Sequence, residues 1–66
     1  MIWVFDRRGE QLKYEICRPD QGEGFLLVTT QPDGAQKVEQ VAQPSELIEK
    51  SVLQLRQLRE DGWKIG

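Results

Sequence analysis

The sequence predicts an α+β fold, an antiparallel β-meander of three to four strands with one C-terminal α-helix packed on one face. Three observations carry this expectation. Turn-forming clusters cut the first two thirds into short extended pieces, and the apolar period changes from two to about 3.6 after Pro44. The chain has 66 residues, 38% of them apolar, which is enough for one small core and not for two. Residues 1–66 are therefore read as a single domain, with strands at about 2–6, 11–18, 25–31 and 35–42 and a helix at about 44–61.

Asp6-Arg7-Arg8-Gly9 and Gln31-Pro32-Asp33-Gly34 each combine a turn-initiating residue with a glycine able to take positive φ, so each is expected to close a hairpin. Pro19 to Gly24 is a looser polar connection. The second strand alternates cleanly, with Leu12, Tyr14 and Ile16 on one face and Lys13, Glu15 and Cys17 on the other. Ile2 to Phe5 and Phe25 to Val28 are apolar on both faces, the pattern of strands covered on two sides. The fourth strand is weaker, because Val38 and Val41 have opposite parity and share a face only across a bulge.

In the last third, Pro44 suits the first helical position and Glu46 sets negative charge in the first turn. At about 100° per residue, Leu47, Ile48, Val52, Leu55 and Leu58 fall in a stripe roughly 140° wide, with Ser51 inside it and Leu53 well outside. Gly62 stands where a left-handed residue ends a helix, which brings Trp63 against Leu58 in a Schellman motif.

The register of the first hairpin decides which face Trp3 and Phe5 occupy. A three-residue loop closed by Asp6 and Glu10 puts Gly9 at its left-handed position, pairs Val4 with Leu12 and sends Trp3 and Phe5 away from the helix. A four-residue loop slips the pairing by one and puts both in the core; the like charges of Asp6 and Glu10 argue mildly for this alternative. The outward register is the one expected.

Composition narrows the chemistry. The chain has no histidine, and Cys17 stands alone, without a disulfide partner or companions for a zinc site. A reactive thiol beside Arg18 would lack the usual base, and pairs such as Glu10 with Glu15 or Glu60 with Asp61 are not set in apolar runs that would shift a pKa toward acid–base work. Gly22-Glu23-Gly24 precedes a strand rather than a helix, so it is no phosphate cradle. Neither catalysis, a cofactor nor a metal is expected. A net charge of −2 with interspersed signs draws the chain to neither nucleic acid nor membrane, and no apolar run is long enough for a leader or a span, so a cytoplasmic setting is expected.

The order of four strands followed by a helix is similar in outline to the single-strand-binding fold of the transcriptional coactivator positive cofactor four and of the plant Whirly proteins. The likeness lies in element order, and no functional residue is carried across from it. The expected role is a small non-catalytic interaction module, self-associating or an accessory subunit, with Trp3, Phe5 and Leu53 as candidate interface residues. The stems of Lys13 and Glu15 offer another way to shield the open face. The alternative is a single-stranded nucleic-acid-binding domain that uses Arg7, Arg8, Lys13 and Arg18 along the first hairpin.

Overall fold

The computed structural model describes residues 1–65; Gly66, the last residue of the expected domain, lies outside them. The elements run β1 (Ile2–Arg7), β2 (Glu10–Cys17), β3 (Phe25–Thr30), β4 (Gln36–Val41), α1 (Pro44–Glu60) and β5 (Lys64–Ile65). All strand pairs are antiparallel, in the order β4-β3-β2-β1-β5. The fold is α+β with a meander of four strands, and a fifth strand, absent from the sequence-based expectation, returns from the helix to pair with Phe5 and Asp6.

The first hairpin departs from the expected register. Phe5 pairs with Leu12 and Trp3 with Tyr14, and the ladder runs on to Arg7 opposite Glu10, leaving a two-residue loop of Arg8 and Gly9. Both loop residues have positive φ, 51° and 80°, the pattern of a type I′ turn whose twist matches the strands. Two forces favour this pairing over the three-residue loop. It sets Arg7 across from Glu10, with 4.0 Å between the charged groups, where the other register would have opposed Asp6 to Glu10. It also moves Phe5, 3% exposed, into the core and half-buries Trp3, whose ring centroid is 5.7 Å from that of Tyr14. The outward placement of Trp3 and Phe5 is thereby corrected, and Ile2 and Val4 take the outer face instead.

In the second hairpin the Gly34 N–H donates to the Gln31 carbonyl at 2.9 Å and the Gln31 N–H to Ala35 at 2.7 Å, closing a three-residue loop. Val41 is fully buried on the inner face while Val38 looks outward, so β4 is regular and their opposite parity needs no bulge.

The core lies between the sheet and α1: Phe5, Leu12, Tyr14, Leu27 and Val41 from the strands, with Leu58 and Trp63. The helix is rotated from its expected orientation. Leu47, Ser51, Leu55 and Leu58 face inward, but Ile48 is 63% exposed and Val52 is also exposed. On the opposite flank Lys50 reaches the inner face of β4 and donates to Glu39 Oε2 at 2.7 Å, so the side of the helix nearest β4 is the polar one. After Glu60 the Schellman motif forms as the sequence predicts. The Trp63 N–H donates to the Leu58 carbonyl at 2.9 Å, the Gly62 N–H to Arg59 at 3.0 Å, and Gly62 has φ +92°. This reversal delivers β5 to β1.

Candidate functional site: the outer face of the sheet

A strand's side chains alternate between faces, so the pairing register dictates what the uncovered side of the sheet presents. One cross-strand row is Ile2, Glu15, Val28 and Val38. The row beside it is Val4, Lys13, Thr30 and Gln36, and a third places Cys17 beside Leu26 and Gln40. Ile2 at 61% and Val38 at 57% are the most open of its apolar side chains; Val4 is exposed, and Leu26 and Val28 are half-buried by their neighbours alone. The helix packs on the other side and covers none of them.

Two charged side chains stand in the middle of this apolar field. Lys13 Nζ is 3.4 Å from Glu15 Oε1 along the same strand, and their side chains are 46% and 21% exposed. Their stems shield part of β2, but the apolar positions of β1, β3 and β4 remain open on either side.

The residues expected to form an interface do not share a surface. Trp3 and Phe5 lie on the inner face, and Leu53 is exposed on the side of α1 away from the sheet. The four basic residues are likewise dispersed. Arg7 is turned to the helix end, where Nη1 donates to the Asp61 carbonyl at 2.9 Å and the guanidinium stacks on Trp63. Arg8 is at the hairpin tip, Lys13 is paired with Glu15 on the outer face, and Arg18 lies over the Phe25 ring at 5.3 Å, past the far end of β2. Sequence reasoning missed Ile2, Val4 and Val38 as outer-face residues. The first two follow from the alternative register that the like charges of Asp6 and Glu10 favour and that the left-handed position of Gly9 outweighed.

The two edges of the sheet differ as well. β4 carries Lys37 and Glu39, charges that discourage pairing with another strand, whereas β5 is two residues long and covers only the end of β1. On the helix side, a narrow, partly open space of about 20 Å³ adjoins the buried Tyr14 Oη, which has no hydrogen-bond partner among the described residues. Such a space has room for about one water. No group of three or more potential metal ligands occurs among the described residues, and no described helix is long and apolar enough to cross a membrane.

Compared with known proteins, the chain matches no family model, no curated protein and no solved structure.

Proposed function

We propose that this protein is a small non-catalytic interaction module of the cytoplasm that associates with itself through the outer face of its sheet. One observation carries the reading: Ile2, Val4, Leu26, Val28 and Val38 form an apolar field on the side of the sheet that the helix does not cover. Ile2 and Val4 lie on one side of the Lys13–Glu15 pair and Leu26, Val28 and Val38 on the other, and apolar side chains rimmed by polar ones in this way mark an interaction surface. A domain of 66 residues also has little core of its own, and sharing a face adds more. Two sheets packed face to face at about 10 Å would form the second layer that β1 and β3, apolar on both sides, call for.

The nucleic-acid reading has less behind it. Arg7, the most constrained of the four basic side chains, is engaged by Trp63 and Asp61.

Sedimentation of the wild type and of Val28→Lys over a hundredfold concentration range tests the proposal. The wild type is expected to pass from monomer to dimer, and Val28→Lys, folded by circular dichroism, is expected to remain a monomer. A wild type that stays monomeric at the highest concentration rejects it.

A further inference from the structure

The position of Lys13 and Glu15 within the apolar field selects one geometry for the self-association, and this inference rests on the reading just given. Two identical sheets facing each other are related by a two-fold axis lying in the plane between them. If that axis runs along the strands near β2, each residue keeps its level, so Lys13 lies over the partner's Lys13 and Glu15 over the partner's Glu15. Like charges are then opposed at the centre of an apolar interface, where they are strongly disfavoured. If the axis runs across the strands and passes over Tyr14, the residue between them, levels are exchanged. Lys13 and Glu15 are two positions apart, about 7 Å along β2, and a rotation about their midpoint carries each onto the site of the other.

We infer that a second copy covers the outer face across this transverse axis, β2 antiparallel over β2, with Lys13 of each copy against Glu15 of the other. The monomer's pair, 3.4 Å apart, becomes part of an alternating square of four charges. The same rotation lays Val4 over the partner's Ile2 and Thr30 over its Val28, with Gln36 over Val38 at the β4 edge. The charges are self-complementary, so another copy of this chain supplies both the sign and the spacing that the face requires.

Charge reversal tests this geometry. Lys13→Glu gives a face with two negative charges and Glu15→Lys one with two positive charges, and each alone is expected to weaken the homodimer by at least about tenfold in Kd. An equimolar mixture of the two is expected to form heterodimers with affinity near wild type, visible by native mass spectrometry. The double exchange Lys13→Glu with Glu15→Lys restores self-complementarity and is expected to dimerise alone. Circular dichroism of each variant separates loss of pairing from loss of folding. Because mixed pairing also follows from an axis along β2, cross-linking reads the axis. Oxidised Gln11→Cys is expected to link to Cys17 of the other copy, each three positions from Tyr14. A link between the two Cys17 side chains instead, a single reversal without effect, or a mixture that forms no heterodimer overturns the transverse geometry while leaving self-association in place. Absence of any wild-type dimer removes the underlying reading instead.

Discussion

The guanidinium of Arg7 lies 4.3 Å from the centre of the Trp63 ring while its Nη1 donates to the Asp61 carbonyl at 2.9 Å. One side chain thus ties the tip of the first hairpin to the end of the helix, 54 residues later in the chain. It satisfies a carbonyl that the helix end leaves free and covers the face of an aromatic ring whose other atoms are in the core. Arg7→Ala is expected to lower stability by ~1–2 kcal/mol, from a cation–π contact of ~0.5–1 and a charged hydrogen bond of similar size. Arg7→Met should recover part of the packing without the charge. Urea unfolding monitored by tryptophan fluorescence gives both values, and equal stability of all three proteins would show that the contact contributes nothing.

Gly62 holds the turn that makes this contact possible. A Cβ there would meet nothing closer than Arg7 Cδ at 3.6 Å, so the cost of substitution comes from its φ of +92° rather than from crowding. Gly62→Val is therefore expected to lose more than ~1 kcal/mol, and Gly62→Asn distinctly less, because asparagine tolerates the left-handed region. Equal losses would point to a steric cause that the geometry does not contain.

What could be read from the sequence divides along a physical line. The helix end was legible because a Schellman motif is local: Leu58, Gly62 and Trp63 carry it within six residues. The alternation of β2 was legible for the same reason. The hairpin register was not, since it turns on whether Arg8 accepts φ of 51°, and that is decided by the burial of Phe5 and Trp3 against elements far along the chain. The helix rotation is set by packing against β4 and goes with the contact of Lys50 to Glu39, and β5 follows from the Schellman turn meeting β1. Neither leaves a mark in hydrophobic periodicity. The outer face inherited these errors, because one residue of slip exchanges Trp3 and Phe5 for Ile2 and Val4.

The strain at Arg8 can be measured. A residue with a β-carbon at positive φ costs roughly 1–2 kcal/mol, and asparagine followed by glycine is the pair preferred in a type I′ turn. Arg8→Asn is expected to raise stability by ~0.5–1 kcal/mol and leave the register unchanged. A decrease in the melting temperature would argue against the two-residue loop, as would loss of cross-strand nuclear Overhauser contacts between Phe5 and Leu12.

Helix substitutions report which side of α1 is covered. Leu58→Ala removes a core side chain and is expected to cost ~2–5 kcal/mol, whereas Leu53→Ala, at a position 55% exposed, should cost under ~1 kcal/mol. Comparable losses at the two sites would require a second layer over the helix.

The pH profile of stability should bend at both ends for different reasons. Tyr14 is buried, and desolvation of its phenolate, with the charge of Glu39 adding to it, pushes its pKa above the ordinary 10.0. The folded protein prefers the neutral phenol. Its contribution is complete below pH 10.0 and is lost as pH climbs through the folded value, because the unfolded chain releases the proton first. Glu39 shifts the other way. The hydrogen bond from Lys50, then that residue's charge, holds its carboxyl below the ordinary 4.5, so its contribution is present above that value and fades as pH falls through the folded one. Lys50 is raised by the same bond, and its share is lost only above its ordinary 10.5, which overlaps the tyrosine. Thermal melts from acid to alkaline pH on Lys50→Met, with and without Tyr14→Phe, separate the two. Lys50→Met is expected to flatten the acid side, and adding Tyr14→Phe to flatten the decline that remains above pH 10. An alkaline decline that persists unchanged in the double variant would mean that the buried phenol is not its source.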